Sequence, residues 1–239
     1  MHRNIVVLGD GLLGGEIIEQ TNWNWISRKK NGIDFDNIDS YKNLISKYNV
    51  VFNAIVHKDT YSQDKQKHWN TNYVGVANLV DYCNINNKKI IHISTDYVYS
   101  NSVANATEND VPSNCPNWYT YTKLLSDGYV QLRSNNYLLI RCSFRKRPFE
   151  YNQISMQIGN FDYVDNIVKL IIQLIEKNAR GIFNVGREKV WNIYNMAIET
   201  NPRVKIRDKK VFDSIPYDLS MNVDKMNNFL KNHINILER

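Results

Sequence analysis

Residues 4–14 read N-I-V-V-L-G-D-G-L-L-G, an apolar run that ends directly in a glycine-rich turn. The run predicts a short buried parallel strand, and the leucines and isoleucines over 11–20 predict a helix after the turn. Gly9, Gly11 and Gly14 form the G-x-G-x-x-G pattern of a dinucleotide-binding turn. In that pattern the first glycine permits the tight turn, the second lets the backbone approach a pyrophosphate, and the third lets the helix pack against the strand. The helix N-terminus offers free N–H groups to the phosphates, so this stretch predicts a Rossmann-type α/β fold.

The alternation of strands and helices continues to residue 141. Strands are predicted at 25–27, 50–53, 89–94 and 137–141, and helices at 41–48, 69–83 and 119–134. This order predicts a doubly wound parallel sheet. Beyond it the pattern loosens, although 164–175 predicts an amphipathic helix and 181–185 a strand. We therefore expect a dinucleotide-binding domain over 1–142 and a small substrate-binding lobe over 143–239, interleaved with the first.

The composition is that of a globular protein, with 43% hydrophobic and 23% charged residues in 239. The net charge of +6 is spread along the chain, with two short basic clusters at 28–30 and 145–147. Such clusters fit a phosphate-rich small molecule better than nucleic acid. No apolar run approaches the roughly 18–20 residues that span a bilayer, and no signal peptide is recognisable. The three scattered cysteines lack metal-ligand spacing, so we expect a cytoplasmic protein with reduced thiols, no metal and no membrane or nucleic-acid partner.

The residues after the second predicted strand bear on the choice of dinucleotide. NAD-specific sites place Asp or Glu at that strand end, to hold the ribose 2′-hydroxyl. Here the strand ends in Ser27, and Arg28, Lys29 and Lys30 follow. A guanidinium pairs well with a 2′-phosphate. The sequence therefore favours NADP, with NAD as the alternative if these cations form only a solvated loop.

Two further motifs indicate the chemistry. Tyr119 and Lys123 form Y-x-x-x-K at the start of a predicted helix, where residues four apart share a face. A nearby ammonium lowers the pKa of a tyrosine and suits it to proton transfer. The stretch S-T-D-Y-V-Y at 94–99 follows the fourth strand, at the edge where open α/β sheets bind ligands. A hydroxyl there can bond a substrate carbonyl.

Together these motifs resemble the extended short-chain dehydrogenase/reductases, and most closely the dTDP-4-dehydrorhamnose reductase-like proteins. The resemblance covers almost the whole chain. The phrases that carry it are G-D-G-L-L-G at 9–14, I-D-F-D-N at 33–37, F-N-A at 52–54, S-T-D-Y-V-Y at 94–99, N-W-Y-T-Y-T-K at 117–123, Y-V-D-N-I at 163–167, G-I-F-N-V-G at 181–186 and D-L-S-M-N-V-D-K at 218–225.

The resemblance implies that Thr95, Tyr119 and Lys123 form a catalytic triad. Tyr119 would donate a proton to a keto oxygen as hydride arrives from the nicotinamide, and Lys123 would also hold the nicotinamide ribose. Further cofactor contacts are implied for Gly9, Gly11, Leu12, Leu13, Gly14, Arg28, Lys29, Asp34, Phe35, Asn53, Ala54, Ile55 and Asn72.

The function that the resemblance implies is NADPH-dependent reduction of a nucleotide-linked 4-keto-6-deoxysugar. A sugar-nucleotide epimerase and a non-catalytic NADP-binding regulatory protein remain as alternatives. Dehydratases of the group carry Asp-Glu after the threonine, whereas Asp96 is followed here by Tyr97, which argues against dehydration. Relatives often dimerise through a four-helix bundle, for which the helices over 69–83 and 119–134 are the candidates.

The sequence departs from the family in two places. The glycine turn has one residue fewer between its first two glycines, and the stretch after Arg141 that builds much of the sugar-nucleotide pocket is short. Within it, Arg145 and Arg147 could face a substrate diphosphate, and Phe149 or Tyr151 could stack on a base. The alternative is a basic surface loop. Asp96 and Tyr97 are further candidates for substrate contact.

Overall fold

The computed structural model describes residues 4–100, 104–110, 115–207 and 216–232. The chain forms two compact units, each built from two separate stretches: residues 1–94 and 117–139 in the first, and residues 95–116 and 140–239 in the second. The chain therefore passes between the units three times. The functional labels expected for 1–142 and 143–239 stay predictions.

A six-stranded sheet contains β1 (Ile5–Leu8), β2 (Asn24–Ile26), β3 (Val50–Asn53), β4 (Lys89–Ile93), β5 (Tyr137–Cys142) and β10 (Gly181–Val185). Its order is β2-β1-β3-β4-β5-β10. β1 pairs in parallel with both β2 and β3, and β3 pairs in parallel with β4. The winding therefore reverses at β1, which makes the gap between β1 and β3 the switch point where such sheets bind ligands. The predicted Rossmann-type parallel α/β fold is confirmed.

The first unit is built on strands that are buried on both faces. Every residue of β1 and β3 is buried, as expected for the central strands of a covered parallel sheet. The helices of this unit are α1 (Leu12–Thr21), α2 (Arg28–Asn31), α3 (Lys42–Ile45), α4 (Lys65–His68), α5 (Gly75–Ile85) and α6 (Trp118–Arg133). Ile17 of α1 and Leu79 of α5 are fully buried and add to its apolar core.

Two predicted helices differ from those observed. The helix expected over 41–48 shrinks to α3, preceded by a 3-10 turn at Ile38–Ser40. Tyr41 separates the two because its backbone is non-helical and its ring is buried, with its hydroxyl donating to the Phe35 carbonyl. The helix expected over 69–83 begins instead as a π-helical stretch at Trp69–Val74, which leads into α5.

The second unit contains many two-residue strands. β6 (Phe144–Arg145) pairs with β9 (Asp162–Tyr163), β7 (Gln153–Ile154) with β12 (Lys205–Ile206), and β8 (Ile158–Gly159) lies between β11 (Trp191–Asn192) and β13 (Asp218–Leu219). Its helices are α7 (Val164–Glu176), α8 (Ile193–Ile198) and α9 (Asp224–Asn232). α7 buries the apolar face that its sequence predicts. Among the described residues, no helix has the length and apolar character needed to cross a membrane.

A buried asparagine ties distant parts of the second unit together. Asn184 of β10 donates from its side-chain amide to the carbonyls of Ala106 (3.0 Å) and Asn222 (3.1 Å). Its side-chain oxygen accepts from the hydroxyl of Tyr99 (2.8 Å), to which Arg141 also donates. Because the amide is fully buried, these bonds fix where the 104–110 segment and the stretch before α9 lie against β10.

Candidate functional site

The glycine turn has the geometry that its motif predicts. Gly9 has a φ of +94°, and a Cβ there would lie 2.9 Å from Cγ1 of Ile55. A Cβ on Gly14 would lie 3.0 Å from the carbonyl carbon of Gly9 and closer still to its oxygen. At Gly11, by contrast, a Cβ would meet no atom within 4 Å, so this side of the turn is open. The turn is therefore tight where the helix meets the strand and accessible where a pyrophosphate would approach.

The start of α1 presents backbone N–H groups beside this opening. The helix begins at Leu12 after Gly11, with no side-chain cap and no acidic residue in its first turn. The first N–H groups of a helix have no partner within the helix and carry a partial positive charge. Ala54, directly after β3, packs near the turn, since a Cβ on Gly14 would lie 3.3 Å from its side chain. These residues can hold the pyrophosphate of a dinucleotide.

The basic residues after β2 lie on the short helix α2. Ser27 caps this helix by accepting from the N–H of Lys30, and its hydroxyl donates to Asp10 in the glycine turn (2.9 Å). Lys30 lies over the ring of Trp25, 3.4 Å from its centroid. Arg28 and its neighbour Lys29 are exposed, which leaves two cations at this strand end.

The two residues expected near the adenine differ in exposure. Asp34 is exposed, and its carboxylate lies 3.8 Å from the guanidinium of Arg28. Phe35 is buried and stacks on Tyr41. A Cβ on Gly75 would overlap the Phe35 ring, so this ring packs directly against the start of α5. Of the two, Asp34 has the side chain that solvent and ligands can reach.

Three buried polar side chains form a chain across the carboxyl end of the sheet. Asn53 Nδ2 of β3 lies 3.2 Å from Nδ1 of His92 on β4. Nε2 of the same imidazole lies 3.2 Å from Nζ of Lys123 on α6. Nζ also donates to the carbonyl of Ile93 (2.7 Å). The side-chain oxygen of Asn53, Oδ1, accepts from the N–H of Ile55 (3.1 Å). His92 thus connects two predicted site residues, Asn53 on the sheet and Lys123 on α6.

The residue between them, His92, was missed by the sequence reasoning. The signal was a single imidazole inside the otherwise apolar strand K-I-I-H-I at 89–93. His92 is fully buried, and its pKa lies well below the ordinary value because burial disfavours the charged ring and Lys123 repels it. The imidazole is therefore uncharged at neutral pH and can serve only as a hydrogen-bonding group.

The Y-x-x-x-K pair lies at the start of α6, as predicted. The helix begins at Trp118, and Asn117 caps it by accepting from the N–H of Thr120 (2.8 Å). Tyr119 is half-buried in the first turn, and Lys123, one turn later, is buried. The spacing places both side chains on the same face of the helix.

Asn72 holds the loop after β3 against α6. Its side-chain oxygen accepts from the N–H of His57 (2.8 Å), and its Nδ2 lies near the His57 carbonyl (3.1 Å) and Oγ1 of Thr122 (3.2 Å). The residue lies in the π-helical stretch, a feature that often marks functional sites. The rings of His57 and His68 pack beside it with centroids 4.4 Å apart, and burial lowers the pKa of both.

In the second unit, the residues after β4 form a tight turn around a buried carboxyl group. Thr95 Oγ1 donates to Asp96 Oδ1 (3.1 Å) and accepts from the N–H of Tyr97 (3.2 Å). Burial raises the pKa of Asp96 to about 7, although Arg145 and the hydroxyls of Thr95 and Ser143 partly oppose this shift. Near neutral pH this carboxyl group can both donate and accept a proton.

The short basic stretch after β5 makes mostly local contacts. Arg145 donates to the Phe144 carbonyl (2.9 Å), and Arg147 lies over the ring of Tyr163 and pairs with Asp165. Phe149 is only 2% exposed, so its ring is buried and cannot stack on the base of a substrate nucleotide. Tyr151 is half exposed, and its ring can reach such a base.

The predicted site residues thus fall into two groups, each within its own unit. In the first unit, the unpredicted His92 links the predicted residues Asn53 and Lys123, and the second unit links Thr95, Asp96 and Tyr97. The triad of Thr95, Tyr119 and Lys123 stays a prediction. Across the described ranges, no three His, Cys, Asp or Glu side chains cluster in a way that could hold a metal ion.

A parallel sheet with an open glycine turn at its switch point defines an α/β protein of the Rossmann type. The family model described as the RmlD substrate binding domain matches residues 3–146, more than half of the chain. The protein therefore belongs to the RmlD substrate binding domain family, and the resemblance to dTDP-4-dehydrorhamnose reductases is confirmed.

Solved structures share the fold over nearly the whole chain. A dTDP-4-dehydrorhamnose reductase from Clostridium acetobutylicum superposes with a TM-score of 0.78 at 20% identity, covering 98% of this chain and 99% of that one. The Bacillus anthracis dTDP-4-dehydrorhamnose reductase, in complex with NADP, superposes with a TM-score of 0.79 at 18% identity, covering 97% of this chain and 98% of that one. The Bordetella bronchiseptica enzyme WbmH, in complex with NAD+, superposes with a TM-score of 0.76 at 13% identity, covering 95% of this chain and 91% of that one. No curated protein matches the sequence.

Proposed function

We propose that the protein is an NADPH-dependent reductase of a nucleotide-linked 4-keto-6-deoxysugar, of the extended short-chain dehydrogenase/reductase type. The observation that carries the proposal is Lys123, held at the carboxyl edge of the sheet by the Ile93 carbonyl and His92, one helical turn after Tyr119. Membership of the RmlD substrate binding domain family supports the same reaction class.

The first unit supports the binding of a dinucleotide. The open side of Gly11 and the uncapped start of α1 suit a pyrophosphate, and Asn53 and Asn72 lie on the same sheet edge and the helix beside it. Exposed Arg28 and Lys29 suit the 2′-phosphate of NADP. NAD is the alternative if these two cations make no contact with the ribose.

The chemistry assigned to this chain is a proton transfer. A reduced nicotinamide, when bound, supplies the hydride. Tyr119 then gives its hydroxyl proton to the keto oxygen, and Lys123 orients Tyr119 and the ribose. To hydrogen-bond the substrate oxygen, the Thr95 hydroxyl must turn its single proton from Asp96 Oδ1 to that oxygen. Asp96, with a pKa of about 7, is available as a buried hydrogen-bond donor to the sugar.

The test is NADPH oxidation by the purified protein against dTDP-, UDP- and GDP-linked 4-keto-6-deoxysugars. We expect turnover with at least one of them, and loss of turnover by about 100-fold or more in Tyr119→Phe, with NADPH binding kept. Absence of turnover across the panel would overturn the reductase assignment.

A non-catalytic NADP-binding regulatory protein is the second candidate. The observation behind it is the stretch from Ser143 to Tyr163, which contains four two-residue strands and no helix. A substrate pocket built from so short a stretch could be too small to bind a sugar nucleotide. Tyr119→Phe would then leave the biological function of the protein intact.

A sugar-nucleotide epimerase is the remaining alternative, and cofactor retention distinguishes it. Epimerases hold NAD through purification, whereas a reductase exchanges its NADPH. Mass spectrometry of the nucleotide released from denatured protein separates the two: bound NAD or NADH supports the epimerase.

A further inference from the structure

The end of β2 lacks the carboxylate that usually selects NAD, and the fold brings one to it from the glycine turn. In Rossmann-type sites an acidic residue at this strand end holds the 2′-hydroxyl of the adenosine ribose. Here β2 is followed by Ser27, whose hydroxyl donates to Oδ2 of Asp10 at 2.9 Å. Asp10 lies seventeen residues earlier in the chain, so the residues around the strand end do not reveal it.

The backbone holds Asp10 at this position. The N–H of Gly9 donates to the carbonyl of Ile26, the last residue of β2, at 2.9 Å. The residue that follows Gly9 in the turn therefore lies beside the residue that follows Ile26. Gly9 has a φ of +94°, a conformation that side chains rarely allow, so the turn depends on this glycine. The position of the carboxylate follows from the backbone of the turn and the strand.

Ser27 orients Asp10 and has no proton left for a ligand. Its hydroxyl gives its single proton to Asp10 and accepts from the N–H of Lys30 at 3.1 Å. Asp10 is exposed, and across the described parts of the chain Ser27 is the one group that bonds its carboxylate. Oδ1 of Asp10 is therefore available to accept a hydrogen bond from a ligand hydroxyl.

The cations at the same strand end are partly engaged. Nζ of Lys30 lies over the ring of Trp25 and donates to the Trp25 carbonyl at 3.3 Å. The guanidinium of Arg28 lies 3.8 Å from the carboxylate of Asp34, and Lys29 is exposed. A 2′-phosphate bound by Arg28 and Lys29 would also meet the negative charge of the glycine turn. The strand end thus has a carboxylate that suits a 2′-hydroxyl and cations that suit a 2′-phosphate.

We propose that Asp10 accepts a hydrogen bond from the 2′-hydroxyl of the adenosine ribose and so determines how the protein discriminates between NADH and NADPH. Ser27 is the positioning residue that orients the carboxylate. The charge of Asp10 also limits the preference for NADPH, because it repels the 2′-phosphate. The inference rests on the dinucleotide binding in the proposed function, and it does not depend on which sugar is reduced.

The direct test is the binding of NADH and NADPH to the full-length protein without a sugar substrate, followed by nicotinamide fluorescence. Asp10→Asn keeps the size of the side chain and removes its charge. We expect the Kd for NADH to rise about threefold or more, because the acceptor of the 2′-hydroxyl loses its charge. The Kd for NADPH should fall about threefold or more, because the repulsion of the 2′-phosphate is removed. A general loss of folding would weaken both ligands and cannot produce opposite shifts.

A ligand that lacks the hydroxyl identifies the group that Asp10 bonds. 2′-Deoxy-NADH should bind the unmodified protein about fivefold or more weakly than NADH. Asp10→Ala, which removes the acceptor, should bind the two ligands about equally. The gain in NADPH affinity in Asp10→Asn should shrink at about 1 M salt, since screening weakens a charge repulsion.

A double variant moves the carboxylate to the strand end without changing the composition. Asp10→Ser combined with Ser27→Asp places an aspartate directly after β2, where it can still cap α2. The double variant should bind NADH within about threefold of the unmodified protein, whereas Asp10→Ser alone should bind it about fivefold or more weakly.

Two carboxylates elsewhere in the first unit serve as controls. Glu19 is exposed on α1, and Glu19→Gln removes the same charge without touching the strand end, so both Kd values should stay unchanged. Asp34→Asn removes the partner of Arg28. Weaker NADH binding in Asp34→Asn, with none in Asp10→Asn, would assign the ribose to Asp34 and overturn the inference.

The inference also fails if Asp10→Asn moves the two Kd values in the same direction or leaves both unchanged, or if 2′-deoxy-NADH binds as tightly as NADH. If the Kd values shift as expected and no sugar nucleotide is reduced, only the reductase assignment fails. If a sugar nucleotide is reduced and the Kd values do not shift, only the role of Asp10 fails. If neither dinucleotide binds, both fail.

Discussion

Replacement of Gly14 by alanine tests whether the glycine turn is built by close packing. The new Cβ would lie 3.0 Å from the carbonyl carbon of Gly9 and nearer still to its oxygen, inside the distance that real Cβ atoms keep. The atoms it meets are backbone, so α1 must move away from β1. We expect a loss of about 1–3 kcal/mol in the free energy of unfolding. A turn displaced in this way should also weaken NADPH binding by about tenfold or more.

The neighbouring glycine provides a matched control on the same helix. A Cβ on Gly15 would lie 3.5 Å from the Asp10 carbonyl oxygen, an ordinary van der Waals distance. Since alanine is the better helix former, Gly15→Ala should stabilise the protein by roughly 0.5–1 kcal/mol. Its NADPH affinity should equal that of the unmodified protein.

Urea denaturation followed by circular dichroism measures the stability of both variants, and fluorescence titration measures their NADPH affinity. The reasoning is refuted if Gly14→Ala is as stable as the unmodified protein, or if Gly15→Ala loses as much stability as Gly14→Ala.

Three other predictions follow from particular side chains. Asn184→Leu removes a fully buried amide that donates to the carbonyls of Ala106 and Asn222 and accepts from the Tyr99 hydroxyl, so it should cost about 2–4 kcal/mol in urea denaturation; a loss below 1 kcal/mol would contradict the network. Because the pKa of Asp96 is raised by burial to about 7, the folded state binds its proton more tightly, so stability should fall as pH rises from about 4 through 7. Asp96→Asn should remove that part of the pH dependence, and urea midpoints measured from pH 5 to 8 would show an unchanged slope if the idea is wrong. Arg28→Ala should raise the Kd for NADPH about tenfold and leave that for NADH unchanged; equal effects on both would argue against a 2′-phosphate contact.

Much of the fold could be read from the sequence because its signals are local. The apolar run at 5–8, the glycines that follow and the helical spacing after them lie within about twenty residues. Each was found where expected, as were β3 and the start of α6. Asn117 shows the same locality, since its cap reaches only to Thr120.

The departures from prediction came where tertiary contacts override local preference. Tyr41 has helix-forming neighbours, yet its buried ring and its bond to the Phe35 carbonyl leave its backbone non-helical. The π-helical stretch accompanies the bonds of Asn72 to His57, fifteen residues earlier in the chain. Neither contact leaves a periodic signature in the sequence.

The sequence by itself determined the sheet, the glycine turn and the shared helix face of Tyr119 and Lys123, because strand and helix periodicities repeat over two to four residues. Only the tertiary structure placed His92 against Lys123, thirty-one residues away, and Asn184 against Ala106, seventy-eight residues away. Such pairs depend on which strand lies beside which and on how a helix crosses the sheet edge. A single buried donor or acceptor has no local pattern, so its partner is defined only once the packing is complete.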